Sequence, residues 1–188
     1  MKNLSDEILW KSLKDGDLKA FEALFKSYYN ALYSYGLKIS KDTVLTEDSL
    51  QDFFIYIYEH RQNLSDLNTI APYLFASYRR LIIKKLQKNQ KRKFVRDIDE
   101  KMIDIQFTAE EILIHQESES FKNKNLEVLL NKLPKRQREV IFLKFHCNLK
   151  TAEIADTMEI NYQSVVNTLH KALKTLRQDI KISQLFNS

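Results

Sequence analysis

A helix starting at Tyr162 would gather Gln163, Asn167, His170, Lys171 and Lys174 on one side, between about 140° and 240° from Val165. Leu169, Ala172, Leu173 and Leu176 would fall within about 80° of Val165 and make the opposite, apolar side. Glutamine and asparagine near the N-terminal end can pair donor and acceptor with base edges, and lysines further along suit phosphates. The same pattern also describes an ordinary solvated face. A short helix before it and Asn161 as a cap tip the balance toward duplex DNA. A second candidate lies at 70–96, where nine basic residues occur without an acid, interleaved with Tyr73 and Tyr78. Aromatic faces and positive charge are what unstacked bases and a displaced strand require. Either tyrosine is as reasonable in a core as against a base.

Catalytic chemistry finds little support. There is no Gly-rich phosphate loop, and His60, His115, His146 and His170 lack metal-motif spacing. Glu110 and Glu111 are adjacent rather than posed as an acid and base. The single cysteine, Cys147, excludes an internal disulfide and a multi-cysteine zinc site, and reads as a small core residue. The expectation is a binding protein with no metal, no cofactor and no enzymatic activity. The longest uncharged stretch, 67–78, has 12 residues, short of the roughly 18 a membrane span needs. With no apolar signal core at the start, a cytoplasmic location is expected.

The charge is uneven. The net is +5 over 188 residues, made up of −3 at 1–69, +9 at 70–96, −7 at 97–119 and +6 at 120–188. Two basic segments separated by an acidic one point to two polyanion-binding modules and a connector. A −7 tether between two basic blocks also predicts a closed free state in which the connector masks the DNA-binding surfaces.

The elements that position these residues are helices almost throughout, since two Gly and two Pro leave few sharp turns. Ser5 can cap a helix to about Leu13, and Asp17 a second carrying Leu24, Phe25, Tyr28, Leu32 and Tyr35. A third is expected from Thr46, with Glu47 and Asp48 in its first turn and Leu50, Phe53, Phe54, Ile57 and Tyr58 on one face. After a polar loop at 61–69, Pro72 opens a long helix with a stripe of Leu74, Ser77, Leu81 and Lys85. The segment 97–107 lacks sustained periodicity and reads as a solvated linker. Thr108 can then cap a short acidic helix ending near Glu119. A second module begins with Leu126, Leu129, Leu130 and Leu133. Pro134 opens a helix bearing Val140, Ile141, Leu143 and Phe145, and 148–150 break it. Thr151 to Met158, a turn at 159–161 and the helix from Tyr162 to about Lys181 have helix-turn-helix layout. The expected fold is all-α: a helical domain at 1–96, an acidic linker at 97–119 with a possible short helix, and a helix-turn-helix domain at 120–188.

The segments 133–141, 151–155 and 164–177 resemble the fourth conserved region of bacterial sigma-70-type factors of the extracytoplasmic-function (ECF) subgroup. Ala20-Phe-Glu-Ala-Leu-Phe-Lys-Ser-Tyr-Tyr29, Glu47-Asp-Ser-Leu-Gln-Asp-Phe-Phe54 and Tyr73-Leu-Phe-Ala-Ser-Tyr-Arg-Arg80 resemble the second region, in order and at the usual separations. The resemblance implies a dissociable subunit that directs core RNA polymerase to promoter DNA and helps open it. It places core polymerase binding at Asp48, Gln51, Asp52 and Phe54. It places the −10 element at Arg61, Asn63, Tyr73, Tyr78, Arg79, Arg80, Lys84 and Lys85, and the −35 element at Tyr162, Gln163, Ser164, Asn167, His170, Lys171 and Lys174. It implies a linker along the RNA path of the polymerase, and admits an anti-sigma factor as a further partner. Departures from the family pattern are Glu159 where Gly is frequent, Val166 and Thr168 where Lys and Arg are common, and Arg80 and Lys84 where Asn and Asp are common. Promoter preference therefore does not carry over. The alternatives are a stand-alone helix-turn-helix regulator, which binds duplex DNA without polymerase, and a protein-only helical adaptor, which has no salt-sensitive DNA affinity.

Overall fold

The computed structural model describes residues 6–91, 103–108 and 120–186, and every regular element among them is helical. The first four helices, α1 (Asp6–Lys14), α2 (Leu18–Ser40), α3 (Thr43–Glu59) and α4 (Ile70–Lys91), form an N-terminal bundle. Asp17 caps α2, its carboxylate accepting from the Lys19 backbone N–H at 2.8 Å. Helix α3 begins three residues earlier than the sequence pattern predicts, because Asp42 is the cap and accepts from Leu45 N–H at 3.0 Å. Glu47 and Asp48 therefore lie beyond the first turn and gain little from the helix dipole. Asp6, the first residue of α1, reaches across to accept from the first N–H of α4, at Ile70, over 3.0 Å. Trp10 Nε1 donates to Ser65 O at 2.9 Å and closes the loop before α4.

The second group comprises α5 (Ser120–Lys132), α6 (Lys135–Ile141), α7 (Thr151–Thr157) and α8 (Tyr162–Phe186). Pro134 precedes α6 as expected, but the helix widens into a π turn at Phe142–His146, and Phe145 is exposed rather than on an apolar stripe. An i to i+5 turn breaks the angular register on which that stripe depended. The 159–161 turn keeps left-handed geometry with Glu159 at φ +54°, a conformation that costs a non-glycine residue about 1 kcal/mol.

The two groups pack against each other in one continuous buried core, with α7 lying along α4. This explains why α4 departs from the expected stripe. Leu74, Phe75, Tyr78, Ile82 and Ile83 are all buried, while Ser77, Leu81 and Lys85 are half-exposed, since α2 and α3 cover one side and α7 another. The described part of the connector also differs from a solvated linker. Residues 103–108 run without helix or strand, and Ile103, Ile105 and Phe107 alternate into the core. The Asn131 side-chain amide clasps Phe107 at both ends, accepting from its N–H and donating to its carbonyl, each at 2.9 Å. Asp104 pairs with Arg138, and Lys38 Nζ donates to Gln106 O at 2.5 Å. The expected helix after Thr108 and the cap at Ser5 lie outside the described residues.

Gly36 sets the approach of α2 to α4. A methyl group there would sit 2.2 Å from the Tyr78 hydroxyl oxygen and 2.8 Å from its Cε1. Alanine at this helical position would ordinarily add stability, but here it must displace a buried ring. Gly36→Ala is expected to lower unfolding stability by about 1–3 kcal/mol, read from urea denaturation. Tyr78→Phe in the same chain should recover part of that loss, whereas full stability in the single variant would show that the contact yields freely.

Candidate nucleic-acid interface

Helix α8 carries its apolar side inward as the periodicity predicts: Val165 and Ala172 are fully buried, and Leu176 nearly so. Tyr162, Gln163, Asn167, His170, Lys171 and Lys174 are exposed, and Ser164 is half-buried. Asn161 caps the helix, its side-chain Oδ1 accepting from Ser164 N–H at 2.7 Å. One turn apart, Gln163 Nε2 donates to Asn167 Oδ1 at 3.0 Å, so the two amides preorient each other on the outward side. Val166 and Thr168 are half-buried, and Thr168 Oγ1 donates back to Ser164 O at 2.7 Å.

The basic segment is arranged differently. Arg80, Lys84 and Lys88 are exposed on α4, and Lys85 is half-buried. Tyr73 is half-buried with its ring edge-on to Trp10 at 5.5 Å, and burial raises its phenol pKa. Tyr78 cannot meet a base. It is fully buried, packs on Phe53 at 5.5 Å and donates to Thr46 O at 3.4 Å. Arg79 is also withdrawn, only 6% exposed, with Nε donating to Glu139 Oε1 at 3.1 Å. In the loop after α3, Asn63 is exposed in the 3₁₀ turn Arg61–Asn63, while Arg61 folds back over the Tyr58 ring at 4.5 Å and donates to Tyr58 O.

On α3, Asp48, Gln51 and Asp52 are exposed as expected, whereas Phe54 is buried and forms part of a groove floor. The groove, of about 320 Å³, lies between α2 and α3 and is lined by Phe21, Phe25, Gln51, Phe54, Ile55, Tyr58 and Glu59. Phe25 and Ile55, both exposed, were absent from the sequence-based candidates and flank Gln51 as the apolar part of this surface. Asp52 pairs with Lys85 of α4 at 2.5 Å, linking two positions assigned above to different partners.

Two regions of one sequence family match this layout. Residues 24–92 match sigma-70 region 2, and residues 123–176 match sigma-70 region 4. The chain belongs to the sigma-70 family. The ECF RNA polymerase sigma factor SigX of Bacillus subtilis is 23% identical over 169 residues, 87% of this chain and 85% of that protein. SigM of the same organism is 26% identical over 159 residues, covering 82% and 93% respectively. Such relatives identify the chain as a sigma-70 family member of the ECF kind. The fold is shared with CnrH, solved in complex with the cytosolic domain of CnrY, at a TM-score of 0.60 and 18% identity over 95% of this chain and 99% of that one. It is shared also with the sigma factor RpoE from Bartonella quintana, solved with the anti-sigma factor NepR, at a TM-score of 0.59 and 16% identity over 88% and 99%. In family terms α2 to α4 carry region 2, and α5 to α8 carry region 4.

On the exposed face of α8 the paired amides of Gln163 and Asn167 lie toward the N-terminus, and Lys171 and Lys174 lie further along. Gln163→Ala is expected to relax −35 preference by about 1–3 kcal/mol, while Lys171→Ala weakens all sequences alike and flattens the salt dependence. Matched and mismatched duplexes titrated at several salt concentrations check this. Equal losses on every sequence would make Gln163 a positioning residue.

Proposed function

We propose that this chain binds core RNA polymerase, directs it to promoters through −10 and −35 elements, and supports DNA opening as transcription begins. The observation that carries this is the joint presence, in order, of a region 2 bundle with a basic α4 and a region 4 helix-turn-helix whose recognition face is exposed. Region 4 reads duplex DNA through Gln163, Asn167 and their neighbours. Region 2 holds the opened strand with Arg80, Lys84, Lys85 and Tyr73, joined by Arg79 once its face is uncovered. The groove beside Asp48, Gln51 and Asp52 takes a helix of the polymerase, apolar residues entering between Phe25 and Ile55 while the acids and the amide meet polar partners at its rim.

No catalytic step belongs to the chain itself. Its place of action is the cytoplasm, with the polymerase, in keeping with the finding that no helix among the described residues is long and apolar enough to cross a membrane. An anti-sigma factor fits as a further partner, since the similar RpoE was solved with one. Transcription by purified core polymerase, with and without the chain, is the direct test. Chain-dependent start sites are expected. A footprint on duplex DNA without polymerase, together with no effect on transcription, would instead identify a stand-alone regulator.

Asp52 offers a sharper check of the polymerase surface. Asp52→Lys should weaken core binding while the fold survives, because an exposed ion pair such as Asp52–Lys85 contributes only about 0–1 kcal/mol. The double variant Asp52→Lys/Lys85→Asp restores the intramolecular pair but not the acid on α3. Pull-down of core polymerase should therefore fail for both. Recovery in the double variant would mean that Asp52 matters only for holding Lys85.

A further inference from the structure

Region 4 holds residues 103–107 of the connector in the way a receptor holds a peptide. Ile103, Ile105 and Phe107 are buried while Gln106 stays exposed, the alternation of an extended chain with one side covered. The hydrogen bonds between the Asn131 amide of α5 and the Phe107 N–H and carbonyl are those a neighbouring strand would make, so they hold the backbone of any sequence. Side chains are recognised beside them. The Phe107 ring lies 6.2 Å from that of Phe142, Ile105 is fully buried, and Arg138 of α6 takes Asp104. From α2, Lys38 Nζ donates to the Gln106 carbonyl. Asp104 does not satisfy Arg138. The arginine is 7% exposed, gives Nη2 to Asp104 and Nη1 to Asn131 O at 3.3 Å, and its buried Nε has no hydrogen-bond partner. Nε and Nη2 form an edge of the guanidinium that can pair with both oxygens of one carboxylate.

We infer that Asn131 and Arg138 form a site for an extended acidic peptide, recognised as apolar, acid, apolar, any residue, aromatic. The connector fills it in cis, and a partner protein's segment of the same pattern enters it in trans. This goes beyond the proposed function and does not rest on it. A flexible tether keeps the cis segment at an effective concentration on the order of 1 mM, so a free partner must bind more tightly than the connector does. The unpaired Nε supplies the means. Glutamate in the acid position, longer than Asp104 by one methylene, engages Nε and Nη2 together, where Asp104 engages Nη2 alone. The exposed side of α8 takes no part in the site.

The probe is a fluorescein-labelled synthetic peptide with the sequence of residues 101–109. The receptor is the full-length chain carrying Ile105→Ser and Phe107→Ser, which empties the site in cis, with circular dichroism to check the fold. Fluorescence anisotropy should show the peptide binding this chain about tenfold more tightly than wild type, because the tethered competitor is gone. Asn131→Ala added to the receptor, or Asp104→Lys in the peptide, should weaken binding about tenfold, and Asp104→Glu in the peptide should strengthen it about threefold. If the emptied chain does not fold, Asp104→Lys in an otherwise unchanged chain loosens the cis segment and should bind the peptide about threefold more tightly than wild type. Equal binding to wild-type and altered chains, or no saturable binding to a folded one, overturns the site. Equal affinity of the aspartate and glutamate peptides overturns the role of Nε. A wild-type dimer in light scattering that Phe107→Ser converts to monomer would make the occupant a second copy's connector and overturn the separate partner.

Discussion

Almost everything distinctive about this molecule follows from a carboxylate that cannot reach water. Glu139 sits on a short helix of region 4, and its burial is tolerable only because Tyr35 and Arg79 arrive from two helices of region 2. Those two donors must themselves be placed well. Tyr35 stacks on Phe142 at 6.3 Å and tilts against Phe75 at 5.8 Å. Arg79 follows directly on Tyr78, whose ring is fixed by the missing side chain at Gly36. One residue along α6 from Glu139, Arg138 takes Asp104 and donates to Asn131 O, and Asn131 in turn clasps Phe107. The seam and the connector are therefore parts of one polar arrangement set within an apolar core.

That arrangement treats the two DNA-binding surfaces unequally. Helix α8 needs only its apolar side for packing, so its polar side faces solvent whether or not the domains touch. Helix α4 is packed by α2 and α3 on one side and by α7 on another, which removes Arg79 and engages Arg80. A basic helix without acids of its own is attractive to any acid nearby, and region 4 supplies two. The same charge that suits α4 to a nucleic acid strand suits it to this contact.

The helices and the direction of α8 were legible because their information is local. Caps at Asp17 and Asn161, Pro134 before α6 and the angular separation of Val165 from Gln163 each depend on a few neighbouring residues. The seam was not legible, because a buried glutamate in a charged run such as Lys135-Arg-Gln-Arg-Glu139 has the same local pattern as a solvated one. Tyr78 was ambiguous for the same reason, and only the approach of Gly36 decides it. The connector did hold a trace of its fate. Ile103-Asp-Ile-Gln-Phe107 alternates with period two, as an extended chain with one side covered does, but five residues between acids are too few to outweigh a net charge of −7 over 97–119.

The departures of α8 from the common pattern acquire a physical meaning in this setting. Val166 and Thr168 occupy half-buried positions, and Thr168 spends its hydroxyl on the helix itself. The exposed side of the N-terminal turns of α8 thus carries amides rather than charges, while Lys171 and Lys174 follow one or two turns later. Because counterion release scales with the phosphates neutralised, such a face, meeting DNA as proposed above, would draw little affinity from charge and would leave discrimination among bases to its amides.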